Sequence, residues 1–144
     1  MKTKHMLNDA ILFMLFVAGF LLLTADVSAE IKNGMPIKEI AYQRAWCGSQ
    51  NGEREYRLKD NTRVDCLTKD YAVEMDFAYK WAESIGQSLH YARMTGQRAM
   101  VILIITNEDR DRKHVNKVKK MIAHFGLPIT LKLIDKEVLS PKFK

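Results

Sequence analysis

The stretch that decides the fold is Arg63–Tyr91, RVDCLTKDYAVEMDFAYKWAESIGQSLHY. It predicts two adjacent strands, Arg63–Leu67 and Tyr71–Phe77, with a helix directly after them. In the second strand, large apolar side chains alternate with smaller or acidic ones, as in a strand whose two faces meet different surroundings. One face carries Val73, Met75 and Phe77, and the other carries Ala72, Glu74 and Asp76.

Downstream of these strands, helix and strand patterns alternate. A helix is predicted over Tyr79–Thr95, because apolar side chains recur at helical spacing and Gly96 is a residue typical of the position just past a helix. The segment Ala99–Ile105, AMVILII, suits a central strand buried on both faces. A second helix is predicted over Asp109–Phe125 and a last strand over Ile129–Ile134.

Upstream, Lys38–Trp46 predicts a short helix, and Glu53–Leu58 predicts a strand that forms a hairpin with Arg63–Leu67. The resulting order, (α)βββαβαβ, predicts an α/β fold with a mixed central sheet of about five strands and flanking helices. Right-handed crossovers should make the Ala99–Ile105 and Ile129–Ile134 strands parallel neighbours.

The N-terminal segment has the features of a signal peptide. It combines a basic start, an apolar stretch at Ile11–Leu23 and small residues at Val27-Ser28-Ala29. We therefore expect residues 1–29 to be a signal peptide, residues 30–144 to form a single domain, and the protein to be periplasmic or secreted. The alternative is an uncleaved membrane anchor, although the apolar stretch of roughly 16 residues is shorter than the ~20 that a spanning helix needs.

The chain of 144 residues carries a net charge of +6, with 23 Lys and Arg against 17 Asp and Glu. A basic excess favours contact with a polyanion or an anionic surface, and nucleic acid, lipid and general solubility all stay open on composition alone. The basic residues of the Asp109–Phe125 helix are the best candidates for that contact, and a solvated helix face is the alternative. The candidates are Arg112, Lys113, Lys117 and Lys120.

The chain contains two cysteines, Cys47 and Cys66. In an oxidising compartment they are expected to form a disulfide that closes a loop of roughly 18 residues. Two buried free thiols are the alternative. A catalytic thiol is disfavoured, because neither cysteine has a histidine near it in sequence.

The predicted strands carry three carboxylates, Asp65, Glu74 and Asp76. Acidic groups in the middle of a sheet are costly unless a cation satisfies them. If the two strands pair, Asp65 and Glu74 can converge to within ~5–8 Å of each other on one face. Hard oxygen ligands of this kind suit Mg²⁺, which supports phosphodiester hydrolysis in many proteins.

This arrangement resembles the PD-(D/E)XK nuclease superfamily, which includes restriction endonucleases and archaeal Holliday junction resolvases. The superfamily core is αβββαβ, with Asp in the second strand, (D/E)-X-K in the third and sometimes Gln in the next helix. Asp65 in RVDCL, Glu74 in VEMDF and Gln87 in IGQSLHY match those positions. The resemblance spans roughly Tyr42 to Ile105 and implies a restriction-endonuclease-like fold with metal-dependent nuclease activity.

One position departs from the superfamily pattern, because Asp76 stands where the motif has Lys. Lys80, at the start of the next helix, is the expected replacement. The resemblance then implies that Asp65 and Glu74 hold Mg²⁺ and that Lys80 stabilises charge. Its remaining implications are that Asp76 assists the metal or positions water, that Gln87 orients a strand or a ligand, and that Glu39 adds an acidic ligand.

Other interpretations of the same residues stay open. Asp65 is alternatively a turn cap or an ion-pair partner of Arg63 or Lys69, and Glu74 with Asp76 is alternatively a solvated strand face. A catalytically inactive, nuclease-like periplasmic binding or assembly module is the rival function, because the motif Lys is missing from its usual position. A thiol-linked stress or redox protein is a third possibility.

Overall fold

The computed structural model describes residues 37–140, so the expected signal peptide lies outside the described residues. Three α-helices and five β-strands alternate in the order anticipated from the sequence. They are α1 (Glu39–Ser49), β1 (Glu53–Arg57), β2 (Arg63–Leu67), β3 (Tyr71–Phe77), α2 (Trp81–Thr95), β4 (Arg98–Ile104), α3 (Glu108–Phe125) and β5 (Ile129–Ile134).

The strands form one five-stranded sheet in the order β1-β2-β3-β4-β5. The pairs β1–β2 and β2–β3 are antiparallel, whereas the pairs β3–β4 and β4–β5 are parallel. The predicted α/β class with a mixed five-stranded sheet is confirmed, as is the parallel pairing of the last two strands. Each parallel connection contains one helix, as a crossover requires.

The register of β3 against β4 determines which side chains share a face. Glu74 lies beside Val101 and Asp76 beside Leu103. Val101 and Leu103 belong to the core cluster that packs against α2 and α3. Glu74 and Asp76 therefore lie on the face that these two helices cover.

The opposite face of the sheet contacts α1. The Phe77 ring meets the Tyr42 ring edge to face, with ring centroids 6.3 Å apart. Cys66, which lies beside Val73 in the sheet, forms a disulfide with Cys47 at a Cα–Cα distance of 5.7 Å. The predicted disulfide is confirmed and the alternative of two free thiols is wrong. The bridge fixes the C-terminal part of α1 next to β2.

Two short 3₁₀ helices differ from the sequence prediction. One spans Ala78–Lys80, so α2 begins at Trp81 instead of Tyr79. The other spans Lys136–Leu139, where no element was predicted, and the Asp135 side chain accepts the Glu137 N–H at its start. Both are single tight turns at element boundaries, where 3₁₀ geometry is common.

Both long helices that cover the sheet end as their sequences predict. Gly96 and Gly126 follow α2 and α3 with φ values of 76° and 59°, the left-handed conformation that glycine adopts most readily. At its start, α3 is capped by Asn107, whose side chain accepts the Arg110 N–H. Within residues 37–140, no helix has the length and apolar character needed to cross a membrane.

Candidate functional site

Asp65 lies where β2 and β3 stop pairing. The Cα partners of these strands are Cys66 with Val73 and Leu67 with Ala72. Beyond them, Asp65 Oδ2 accepts the Met75 N–H at 2.7 Å, so a side-chain carboxylate takes the place of a backbone carbonyl. The interpretation of Asp65 as a turn cap or an ion-pair partner of Arg63 or Lys69 is therefore wrong, and Arg63 pairs with Glu55 instead.

Glu74 and Asp76 are buried, with relative exposures of 3% and 4%. The alternative interpretation, a solvated strand face, is wrong because α2 lies over this face of the sheet. Burial removes water from the carboxylates, which costs free energy unless hydrogen bonds or a cation replace the lost solvation. Strand alternation correctly gave the shared face but could not show that the face is covered.

Asp65 and Glu74 meet side chain to side chain, with a hydrogen bond between their carboxyl groups. Burial, followed by the negative charge of Asp65, raises the pKa of Glu74 to about 10. Burial also raises the pKa of Asp65 to about 6, against the opposing effect of the Met75 N–H. The pair therefore holds one proton between its two carboxyl groups at neutral pH.

A second carboxyl pair joins α1 to the end of β3. The Glu39 side chain hydrogen-bonds to Asp76, and burial followed by this contact raises the pKa of Glu39 to about 8. The contact agrees with the expectation that the first helix contributes an acidic group. Four carboxyl groups from α1, β2 and β3 thus form one acidic cluster: Glu39, Asp65, Glu74 and Asp76.

Lys80 reaches this acidic cluster from the 3₁₀ turn after β3. Its Nζ lies 3.1 Å from Asp76 Oδ1 and 3.8 Å from Glu39 Oε2. The hydrogen bond with Asp76 is the main reason why the pKa of Lys80 is raised. The side chain is 38% exposed, so the ammonium group lies at the opening of the acidic cluster to solvent.

Two amide side chains support the acidic cluster. With its amide nitrogen turned to Glu74, Gln87 donates to the two carboxyl oxygens at 3.2 and 3.3 Å and to the Tyr91 hydroxyl at 3.0 Å. Gln43, which is 3% exposed, donates to Glu39 Oε1 at 2.8 Å. The structure therefore brings together all five predicted catalytic residues and Glu39: Asp65, Glu74, Asp76, Lys80, Gln87.

Sequence reasoning missed Gln43 and the buried position of Tyr91. Gln43 follows Glu39 by one helical turn, and this i,i+4 spacing was the available signal. Tyr91 is only 5% exposed and contacts Gln87.

The donor set of the acidic cluster fits a hard divalent cation. Its oxygens are carboxylates, and one more oxygen, Gln43 Oε1, is buried beside Glu39 without a hydrogen-bond partner. Across residues 37–140, no three Asp, Glu, His or Cys side chains stand as a ready coordination set. The carboxyl groups are instead hydrogen-bonded to one another in pairs, so a cation would have to displace the protons that they share.

The basic helix α3 passes beside this site. It packs against the Ala78–Lys80 turn, and Lys117 Nζ lies 5.9 Å from the centre of the Trp81 ring. Lys117 is one of the basic residues predicted to contact a nucleic acid. Its contact with Trp81 brings it close to Lys80, the preceding residue in the chain. Arg112 pairs with Glu108 and Asp109 on the helix itself.

No protein family profile, no curated protein and no solved structure matches this chain.

Proposed function

We propose that this protein is an exported, metal-dependent nuclease that hydrolyses phosphodiester bonds of nucleic acid. The observation that carries the proposal is the position of Lys80, whose ammonium lies 3.1 Å from the Asp76 carboxylate inside the acidic cluster. Asp76 occupies the position where the superfamily motif has Lys. In this proposal Lys80 takes the part of the motif lysine from a later position in the chain.

The architecture supports a restriction-endonuclease-like fold. The described elements begin with α1, β1, β2, β3, α2 and β4, which is the αβββαβ order of the superfamily core. Asp65 in the second strand, Glu74 in the third and Gln87 in the next helix resemble the motif residues in their order and element. Their side chains lie in one hydrogen-bonded group.

In this proposal Asp65 and Glu74 hold Mg²⁺, and Gln87 orients Glu74 through the amide hydrogen bonds described above. When bound, Mg²⁺ polarises a phosphoryl oxygen and makes water a better nucleophile. Lys80 stabilises negative charge that develops on the phosphate, because its ammonium faces solvent at the opening of the acidic cluster. Asp76 orients Lys80, and Glu39 completes the acidic wall from α1.

Export is supported by the disulfide and by the N-terminal sequence. Disulfides form and persist in oxidising compartments such as the periplasm and the extracellular space. Cys47 and Cys66 are bridged, and the first 29 residues have the composition of a secretory leader. Both features agree with a protein that works outside the cytosol.

A non-catalytic binding or assembly module on the same scaffold is the competing proposal. It is favoured by the hydrogen bonds that join the carboxyl groups in pairs and by the contact of Lys80 with both Asp76 and Glu39. In such a module, Lys80 would neutralise the buried charge without taking part in a reaction.

Cleavage assays on the purified protein separate the two proposals. We would incubate it with single- and double-stranded DNA and RNA in Mg²⁺, Mn²⁺ or chelator, and follow the products on denaturing gels. The nuclease proposal predicts metal-dependent cleavage that falls by at least about 100-fold in Glu74→Gln and in Lys80→Ala, the scale of loss for a charge-stabilising group.

Matched variants make the result specific to the site. Glu83→Gln changes an exposed carboxylate on α2, and Lys69→Ala changes an exposed lysine in the β2–β3 turn. Both should cleave as the wild type does. Metal-independent cleavage, or cleavage that survives Glu74→Gln and Lys80→Ala, would remove the assignment. Salt-sensitive binding with no cleavage would favour the non-catalytic module.

A further inference from the structure

An exposed aromatic ring lies directly beside the acidic cluster. Tyr79 is 57% exposed and occupies the 3₁₀ turn between Asp76 and Lys80. Most large apolar side chains of the described chain are at least partly covered. Ile40, Phe125 and Leu133 are the other large hydrophobic residues between positions 37 and 140 that remain exposed. More than half of the surface of Tyr79 is therefore available for contact with a ligand.

The Tyr79 ring is held in place by other aromatic rings. It lies parallel to the Phe77 ring, with an angle of 4° between planes and 5.9 Å between centroids. Phe77 in turn contacts Tyr42 of α1 edge to face, at a centroid distance of 6.3 Å. A ring supported from one side, with its remaining surface in water, loses little conformational freedom when a flat ligand stacks on it.

The chemistry around Tyr79 suits a nucleotide. Lys80 follows it directly, so their Cα atoms are about 3.8 Å apart. After Asp76 and Glu39, the Tyr79 hydroxyl also lies close enough to the Lys80 ammonium to contribute to the raised pKa of Lys80. A base on Tyr79 would therefore have its own phosphate near Lys80.

We propose that Tyr79 is the stacking platform for an unpaired base, and that the site therefore takes single-stranded nucleic acid or an unpaired end. This inference rests on the proposed nuclease function, because the stacked base would position the neighbouring phosphodiester at the acidic cluster. Stacking of a base on an aromatic side chain stabilises a complex by about 1–3 kcal/mol and tolerates any base.

A continuous duplex does not offer this contact. Its base faces are covered by their neighbours, and exposing one for Tyr79 costs a few kcal/mol of unstacking and unpairing. That cost is of the same size as the stacking gain, so Tyr79 contributes nothing net to duplex binding. The platform therefore selects for strands that are already unpaired.

The test measures fluorescence anisotropy of labelled oligonucleotides with the purified protein, in chelator and again in Ca²⁺. The probes are an oligothymidylate, the same strand with abasic residues, and a blunt hairpin duplex. The variants are Tyr79→Ala and Tyr79→Phe. Phe125→Ala is the matched control, because this ring is 61% exposed and lies at the end of α3.

Tyr79→Ala should weaken binding of the single strand by about 5- to 150-fold, which is the stacking free energy converted to affinity. Tyr79→Phe and Phe125→Ala should bind as the wild type does, and duplex binding should not change in any variant. Removing the bases should weaken binding to the wild type but not to Tyr79→Ala, because the two changes delete the same contact.

The inference is overturned if Tyr79→Ala and the wild type bind the single strand with equal affinity. It is also overturned if the wild type binds the duplex as tightly as the single strand, or does not bind the single strand at all. Parallel cleavage assays separate this result from failure of the proposed function. Metal-dependent cleavage with no effect of Tyr79→Ala removes only the stacking role. Tyr79-dependent binding without cleavage in any metal removes the nuclease activity and leaves the platform as a binding site.

Discussion

The Asp65 carboxylate accepts the Met75 N–H at 2.7 Å, at the point where β2 separates from β3. Met75 is fully buried, so its N–H depends on this acceptor.

In Asp65→Ala the N–H of Met75 loses its partner, and we expect the free energy of unfolding to fall by about 1–3 kcal/mol. Asp65→Asn keeps an acceptor oxygen and should be nearly as stable as the wild type, because its amide can also hydrogen-bond to the Glu74 carboxyl group. Urea denaturation followed by circular dichroism measures both variants. An equal loss in the two would show that the negative charge, not the hydrogen bond, supports the strands.

The acidic cluster predicts an unusual pH dependence of stability in the absence of metal. Burial raises the pKa of Glu39 to about 8 and that of Glu74 to about 10, so the folded state binds more protons than the unfolded chain. Their stabilising contribution is complete below about pH 4.5, the ordinary pKa of Glu, and is lost as the pH rises through the raised values. In the presence of a chelator, the protein should therefore unfold at a lower urea concentration at pH 9 than at pH 5.

The double variant Glu39→Gln with Glu74→Gln is the control for this pH dependence. Glutamine does not titrate, so most of the decline between pH 5 and pH 9 should disappear while the fold is retained. A wild-type stability that rises over this range in chelator would contradict the burial of protonated carboxyl groups in the acidic cluster.

Metal uptake should release protons. A divalent cation needs ionised carboxylates, and the protons shared within the pairs Asp65–Glu74 and Glu39–Asp76 must leave when it binds. Titration calorimetry with Mg²⁺ or Mn²⁺ in two buffers of different ionisation enthalpy counts the protons. We expect about one to two protons released per cation at pH 7, and an affinity that increases with pH. In Glu74→Gln, proton release should fall together with the affinity. Uptake without proton release would place the cation away from these carboxyl pairs.

The sequence was sufficient to predict the sheet. Strict alternation in β3 and the wholly apolar β4 identify their positions, and the short segments between elements leave few topologies. The boundary between β3 and α2 was less accurate, because the Ala78–Lys80 turn has helical composition but tighter geometry. A hydrophobic pattern cannot distinguish the first turn of a helix from a 3₁₀ turn that precedes it.

The acidic cluster was only partly predictable. Pairing of consecutive strands correctly brought Asp65 to Glu74, because neighbouring strands place their side chains within reach of each other. The position of Glu39 depends on how α1 crosses the sheet, which no local pattern specifies. The support from Gln43 depends on the same crossing. Burial of Glu74 and Asp76 likewise follows from the packing of α2, a tertiary contact.

Gly52 is required by the disulfide, and not by its backbone conformation. A Cβ at this position would lie 2.5 Å from Cys66 Sγ and 2.7 Å from Cys47 Sγ. Gly52→Ala should therefore destabilise the oxidised protein by about 1–3 kcal/mol, the usual cost of overpacking. In the Cys47→Ala, Cys66→Ala background the same change should cost much less, because both sulfurs are gone. Thermal unfolding of the four proteins in this cycle gives the coupling.

Gly48→Ala is the matched control for Gly52→Ala. It lies within α1 with nothing near its hypothetical Cβ, so alanine should be neutral or stabilising there by about 0.5–1 kcal/mol. A Gly52→Ala penalty that persists without the two cysteines would mean that the Leu67 carbonyl, 3.2 Å from the same Cβ, causes the clash.

Lys117 should contribute to phosphate binding because α3 carries it past the candidate site. Its ammonium lies over the Trp81 ring at 5.9 Å, next to Lys80. Each phosphate contact on a single strand contributes about 0.7 to the slope of log affinity against log salt, so Lys117→Gln should reduce that slope by about this amount. Anisotropy titrations of an oligothymidylate at several salt concentrations measure it. Lys69→Gln, in the β2–β3 turn at the opposite end of β3 from Lys80, should leave the slope unchanged. If both variants change the slope equally, binding follows the net charge of the protein and α3 has no specific part in it.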